Sequence, residues 1–145
     1  MFQQLSIGLD DAQRAIEAAL AEARKDGRPM AAAVVDANGH LIACARMDGA
    51  HERVLRFAIR KAYTAAIMGR DTVGFKGELL ERSRTLDDYG DPLFTTLQGG
   101  IPVILDKQVI GGISVGGNTQ ERDKGIAEIA VRALVDGLSA ERTQA

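Results

Sequence analysis

From Leu9 to Ala23, apolar side chains fall at Leu9, Ala12, Ile16, Ala19, Leu20 and Ala23, steps of three and four that gather them on one face of a helix. Asp10 and Asp11 in the first turn and Gly27 just past the end suit the dipole and the stop of that helix. The run AAAVVDANGHLIACARM behaves differently. Two apolar stretches meet at Asn38-Gly39, the dipeptide that best accepts the positive backbone angles of a two-residue hairpin turn, and the run predicts two antiparallel strands. Helical spacing returns from His51 to Met68 through Leu55, Ala58, Ala62, Ala65 and Ala66, with Asp48 placed to cap the helix. Residues 70–98 hold no single period: VGFKGELLERSR suits a short helix, and TLDDYGDPLFTTLQ reads as an irregular connection over a site or an oligomer contact. IPVILDKQVIGGISVGG predicts two more strands that turn near Asp106-Lys107. A closing helix follows, marked by Ile126, Ile129, Ala130, Ala133 and Leu134 and introduced by Asn118 with Glu121 three positions on, as in a capping box.

Strands and helices do not alternate along this order, so a parallel doubly wound sheet is disfavoured and an α+β fold, an antiparallel sheet with helices packed on it, is expected. A length of 145 residues with 46% hydrophobic content predicts one domain over residues 1–145. Eighteen basic against twenty acidic residues, scattered in sign, leave a formal charge of −2 and give no surface suited to nucleic acid or an anionic membrane. No apolar run approaches the ~20 residues that cross a bilayer, and a cytoplasmic protein is expected. Cys44, the one cysteine, sits in the apolar run LIACA and reads as a buried structural thiol. With aromatics at 4% and no tryptophan, the core is thin for its length, which points to a homo-oligomer.

Three places hold candidate chemistry. GGISVGGNTQE runs a glycine-rich strand end into a helix N-terminus, where Gly116, Gly117 and Asn118 either offer free amides to a carboxylate or phosphate or merely form the turn. Gly99-Gly100-Ile101-Pro102 leaves room for a ligand or a neighbouring subunit, or is a plain turn. Arg46, Asp48 and Lys61 stand around the hairpin-to-helix junction. Arg46 is placed to clamp a carboxylate, and Lys61 to supply a charge or, if desolvated, a base; a cap and a solvated helix face are the plainer reading. Of the two histidines, His40 reads as an exposed turn residue and His51 as an acid/base candidate or an ordinary helix-start residue. Neither these nor the single cysteine makes a metal motif. Ser114 lacks the elbow context of a hydrolase, and Asp87, Asp88 and Asp91 with Tyr89 read as a surface loop or an acidic group.

Taken together, VVDANGHL, ARMDGA, KAYTAA, GGIPV and VIGGISVGGNTQERD stand in the order and spacing of the GlcG/HbpS family, and the chain resembles that family from about Leu9 to Leu138. The likeness extends to the C-terminal domain of PduO-type proteins. It implies a profilin-like fold, an antiparallel sheet of about five strands in three α/β/α layers, assembly into oligomers, and in several members the binding of haem or release of its iron. The family's recurrent polar and glycine positions fall on Asp36, Gly39, Arg46, Asp48, Gly49, Lys61, Thr64, Gly99, Gly100, Pro102, Gly117 and Asp123. Departures lie at Gln98, where the family often has glycine, at Ser114-Val115-Gly116-Gly117 in place of GVSG, and at Val54 in place of a serine.

Three functions follow. In the first, an anionic small ligand, haem or another cofactor or metabolite, enters a glycine-lined groove formed by Arg46, Gly99, Gly100, Pro102, Gly116, Gly117, Asn118 and Asp123, with His51 the candidate axial ligand. In the second, a catabolic isomerase, hydratase or decarboxylase holds an organic acid on Arg46 while His51, Asp48 or Lys61 moves a proton. The third is an accessory assembly subunit.

Overall fold

A computed structural model describes the backbone of residues 1–144 and the side chains of residues 1–140. Ala145, where the expected domain ends, lies outside the described residues. The elements are α1 (Leu9–Arg24), β1 (Ala31–Asp36), β2 (Leu41–Arg46), α2 (Glu52–Met68), α3 (Thr72–Glu81), a 3₁₀ turn (Leu86–Tyr89), β3 (Gly100–Leu105), β4 (Gln108–Gly116) and α4 (Gln120–Gln144). All pairings are antiparallel, in the order β2-β1-β4-β3, so the sheet has four strands where about five were expected. The segment ahead of β3 makes no strand; it is spent on α3 and the 3₁₀ turn.

Alternation along the strands divides the core into two layers. Ala32, Val34, Val103, Ile113 and Val115 meet α1 and α4 on one face, while Ala33 and Val35 meet Ala58, Ala62 and Ala66 of α2 on the other. The first layer is built of larger side chains. The second is nearly all alanine, and α2 makes up for the lost side-chain volume by lying directly on the strands. A Cβ on Gly100 would overlap the carbonyl of Lys61, and one on Gly112 that of Ala62. Those two glycines, which lie diagonally across β3 and β4 in the Gly100–Ser114 and Pro102–Gly112 register, are therefore a seat for the α2 backbone. A third cluster, Phe75, Leu79 and Phe94 with Tyr63 and Tyr89, packs α3 and the irregular connection against the end of α2.

Local corrections have simple causes. The hairpin turn is a three-residue loop, Ala37 to Gly39, closed by the Asp36 N–H donating to the His40 carbonyl at 2.8 Å. Only Gly39 takes a positive φ (83°), because the Asp36 carboxylate accepts from the Asn38 and His40 amides and holds Asn38 in the ordinary region. Helix α2 is capped not by Asp48 but by His51, whose Nδ1 accepts from the Arg53 amide at 3.3 Å. Helix α4 is capped by Thr119, whose hydroxyl accepts from the Arg122 amide at 3.2 Å, rather than by Asn118. Cys44 is exposed rather than buried, because β2 is an edge strand whose side chains are only partly covered. No described helix is long and apolar enough to cross a membrane.

Candidate functional site

Seated on Gly100, α2 sends the Lys61 side chain along the sheet to the end of β4. Its Nζ donates to the Val115 carbonyl at 2.8 Å, and the residue is only 4% exposed. Opposite it, in the first turn of α4, Asp123 is 5% exposed. Its carboxylate accepts the Asn118 amide at 3.0 Å and the Gly117 amide as well. The position of Asp123 is fixed from outside the pocket. Arg122 ties α4 to the end of α1 through Asp26 at 2.6 Å and Glu22 at 3.1 Å, and the Asn118 side chain reaches Asp26 and Arg28.

Two missing side chains make space around the amine. A Cβ on Gly99 would stand 3.0 Å from Lys61 Nζ and 3.6 Å from Asp123 Cβ, and one on Gly116 would stand 3.4 Å from Nζ and 3.2 Å from Val54 Cγ1. The result is a pocket of about 150 Å³, open to solvent, with Val54, Phe57 and Lys61 from α2, Leu97 and Gln98 from the segment before β3, Gly116 and Gly117 from the end of β4, and Gln120 and Asp123 from α4. Its wall is mainly apolar and its floor carries an amine and a carboxyl group. Burial pushes the Lys61 amine down from its ordinary value, against the opposing pull of Asp123. Burial likewise pushes the Asp123 carboxyl up, against Lys61 and the two backbone amides. Each group is thus driven towards its neutral form.

Of the residues singled out in the sequence, Lys61, Gly99, Gly116, Gly117 and Asp123 come together here. Gly100 and Pro102 are part of the sheet, and the Gly100 amide is taken by the Thr72 hydroxyl at 3.2 Å. Arg46 is separated from Gly116 by β1; it is exposed, and its guanidinium donates to the Ala50 carbonyl at 2.7 Å. Asp48 is exposed in the turn that follows, and both His51 ring nitrogens stand within hydrogen-bond distance of Arg53. The expected cradle of free amides beside a guanidinium is therefore absent. The amides of Gly117, Asn118 and Thr119 are consumed by Asp123 and by Asn118 itself, and the guanidinium belongs to a different surface. In the acidic loop, Asp91 accepts from the Tyr63 hydroxyl at 2.5 Å and Asp88 from the Thr85 amide at 2.8 Å, which are structural duties. Phe57, Leu97 and Gln120 were not anticipated: Phe57 is one apolar helix position among several, and Leu97 in the segment before β3 and Gln120 at the start of α4 meet it only once the chain is folded.

Comparison with known proteins agrees with this fold. A family model described as haem degrading protein HbpS-like matches residues 7–132. Protein GlcG of Escherichia coli K12 is 39% identical over 100 residues, covering 69% of this chain and 73% of that protein. Among solved structures, a double mutant of Streptomyces reticuli HbpS is 33% identical with a TM-score of 0.84, covering 92% of this chain and 90% of that one. A PduOC:heme complex is 26% identical with a TM-score of 0.79, covering 89% and 95%. On these grounds the chain belongs to the GlcG/HbpS family.

Proposed function

We propose that this chain binds a small metabolite carrying a carboxylate or carbonyl oxygen in the pocket over Lys61. The observation that carries the reading is a lysine, 4% exposed, that lines a solvent-open, mostly apolar pocket. Burying an amine is costly unless something repays it, and a ligand oxygen would complete the set of acceptors that Val115 begins. Size limits the guest. A cavity of this volume holds a molecule of about six non-hydrogen atoms, the scale of benzene, although the open mouth lets a longer guest extend over Phe57 and Leu97. Ligand-detected NMR with a panel of small carboxylates and ketones tests the reading. Binding that Gly116→Leu abolishes supports it, and a panel with no binder, or with binding indifferent to that substitution, overturns it.

Haem is the second reading, supported by the family description and the haem-bound PduOC neighbour. The Lys61 pocket does not fit it. A macrocycle is several times larger than the cavity, and no histidine, cysteine or methionine lines the wall. A haem site would need another surface, and the hairpin junction with Arg46 and His51 is the one to test. A haemin titration followed at the Soret band, with Arg46→Ala and His51→Ala alongside, does so: a shift lost in either variant supports haem there, and no shift in the parent chain removes it. Assembly into a homo-oligomer completes the reading. Edge strand β2 and the neighbouring α1 leave Leu41 and Leu9 about half exposed, at 47% and 55%, and a second copy would cover them. Light scattering coupled to gel filtration decides this point, a monomer mass being the result against it.

A further inference from the structure

We infer that Lys61 is an amine nucleophile that condenses with the carbonyl carbon of a small aldehyde or ketone to form an imine in this pocket. The inference rests on the reading of the pocket as a ligand site and adds a covalent step to it. A lysine that served only to close the end of β4 would need its hydrogen bond to Val115 and nothing more. The surroundings supply more than that. Val115 is the amine's only hydrogen-bond partner among the described residues, and the space on its other sides is held open by the absent side chains of Gly99 and Gly116. Lys61 and Asp123 line the same pocket, so a molecule held there meets both residues.

The chemistry needs an amine without its proton and an acid able to give one. Burial drives Lys61 and Asp123 in those directions, since each ionised form is poorly solvated. The neutral amine attacks the carbonyl carbon, a C–N bond forms, and the C=O π pair moves to oxygen, which takes the proton of the Asp123 carboxylic acid; the nitrogen then gives a proton back to the Asp123 carboxylate so formed. In the second half, Asp123 gives its proton to the carbinolamine hydroxyl, the C–O bond breaks, water leaves, and the nitrogen lone pair closes C=N as a protonated imine, whose N–H proton can pass back to the Asp123 carboxylate. No oxidant or reductant is required. Val54 and Phe57 supply an apolar wall for the hydrocarbon part, while the pocket's volume selects guests of about six non-hydrogen atoms.

Reductive trapping tests this on the intact chain. Butanone, butanal and pyruvate are each incubated with the protein at neutral pH with cyanoborohydride, and the modified lysines are mapped by mass spectrometry. The expected adduct lies on Lys61 and forms faster than on exposed Lys25, Lys76 and Lys107, because burial leaves more of the Lys61 amine without its proton at the same pH. Asp123→Asn slows it and Lys61→Met removes it. The comparison among lysines within the parent chain stands even where a variant folds poorly. In parallel, 2-butanol, which cannot condense, is followed by ligand-detected NMR. Butanol binding that Gly116→Leu abolishes, with no selective trapping at Lys61, overturns the imine and leaves the pocket reading intact. Absence of both overturns the two together.

Discussion

Lys61 and Arg46 are both cations placed by the sequence near the junction of the hairpin and α2, and the fold treats them in opposite ways. Arg46 ends an edge strand in solvent, and its guanidinium closes its own turn on Ala50. Lys61 lies one helix face away, over the glycine seat, and is carried into the protein with an acid for a neighbour. Water decides the difference. A screened charge on a flexible stem contributes little, whereas a charge inside a wall of valine and phenylalanine has its protonation and its reach set by the protein.

The seat itself is the most sensitive part of that contrast. Gly100→Val would drive a side chain into the Lys61 carbonyl, which is backbone and cannot swing aside, so α2 must lift from β3 and β4. A loss of about 3 kcal/mol or more is expected in urea denaturation, at the upper end of overpacking costs. If the substitution is tolerated within 1 kcal/mol, the close approach is not what positions Lys61. Gly116→Ala separates the site from the scaffold. Its Cβ meets Val54 Cγ1 at 3.2 Å and Lys61 Nζ at 3.4 Å, both atoms of side chains that can give a little. Affinity for whichever probe binds the parent should fall about tenfold, a cost of about 1.4 kcal/mol, with the denaturation midpoint nearly unchanged.

Arg46→Ala sharpens the comparison from the other side. It should cost about 1 kcal/mol through the lost bond to Ala50. Binding in the Lys61 pocket should not change. A loss of affinity there would mean that the two cations act on one ligand, which would return Arg46 to the position the sequence suggested for it.

Why the sequence pointed to both cations equally is itself physical. Periodicity exposed α1, α2 and α4, and apolar runs between turn residues the four strands, because burial is written in side-chain type; α3, in a stretch without a single period, was legible only as a short segment suited to a helix. The family motifs put Lys61, Gly99, Gly117 and Asp123 in one set with Arg46, Asp48 and Pro102 at the same weight, and the fold brings only the first four of these to one place. Position on the chain does not say which glycine is a turn, which is a helix seat and which is an opening: Gly39, Gly100 and Gly99 look alike until the backbone is placed. Nor does it say whether an amide beside a glycine is free. Asp123, four residues into α4, was legible as a candidate, yet its hold on the Gly117 and Asn118 amides depends on a turn geometry that no short motif encodes.

The smallest expected effect is the most specific to a buried amine. In the folded chain Lys61 holds its proton less tightly than in the unfolded chain, where its value is the ordinary 10.5. Between the lowered folded value and 10.5 the unfolded state therefore binds more protons, and this group's contribution makes stability rise with pH through that window. Asp123 has the opposite sign. Its raised folded value makes stability fall as pH climbs from 3.8 through that value, so its influence lies on the acid side. Melting temperatures of the parent chain and Lys61→Met, compared across alkaline pH up to 10.5, isolate the lysine because all other titrating groups are shared. The parent should gain on the variant steadily as pH rises. A constant difference would mean that the amine keeps an ordinary affinity for its proton, and that Lys61 differs from Arg46 in its location but not in its chemistry.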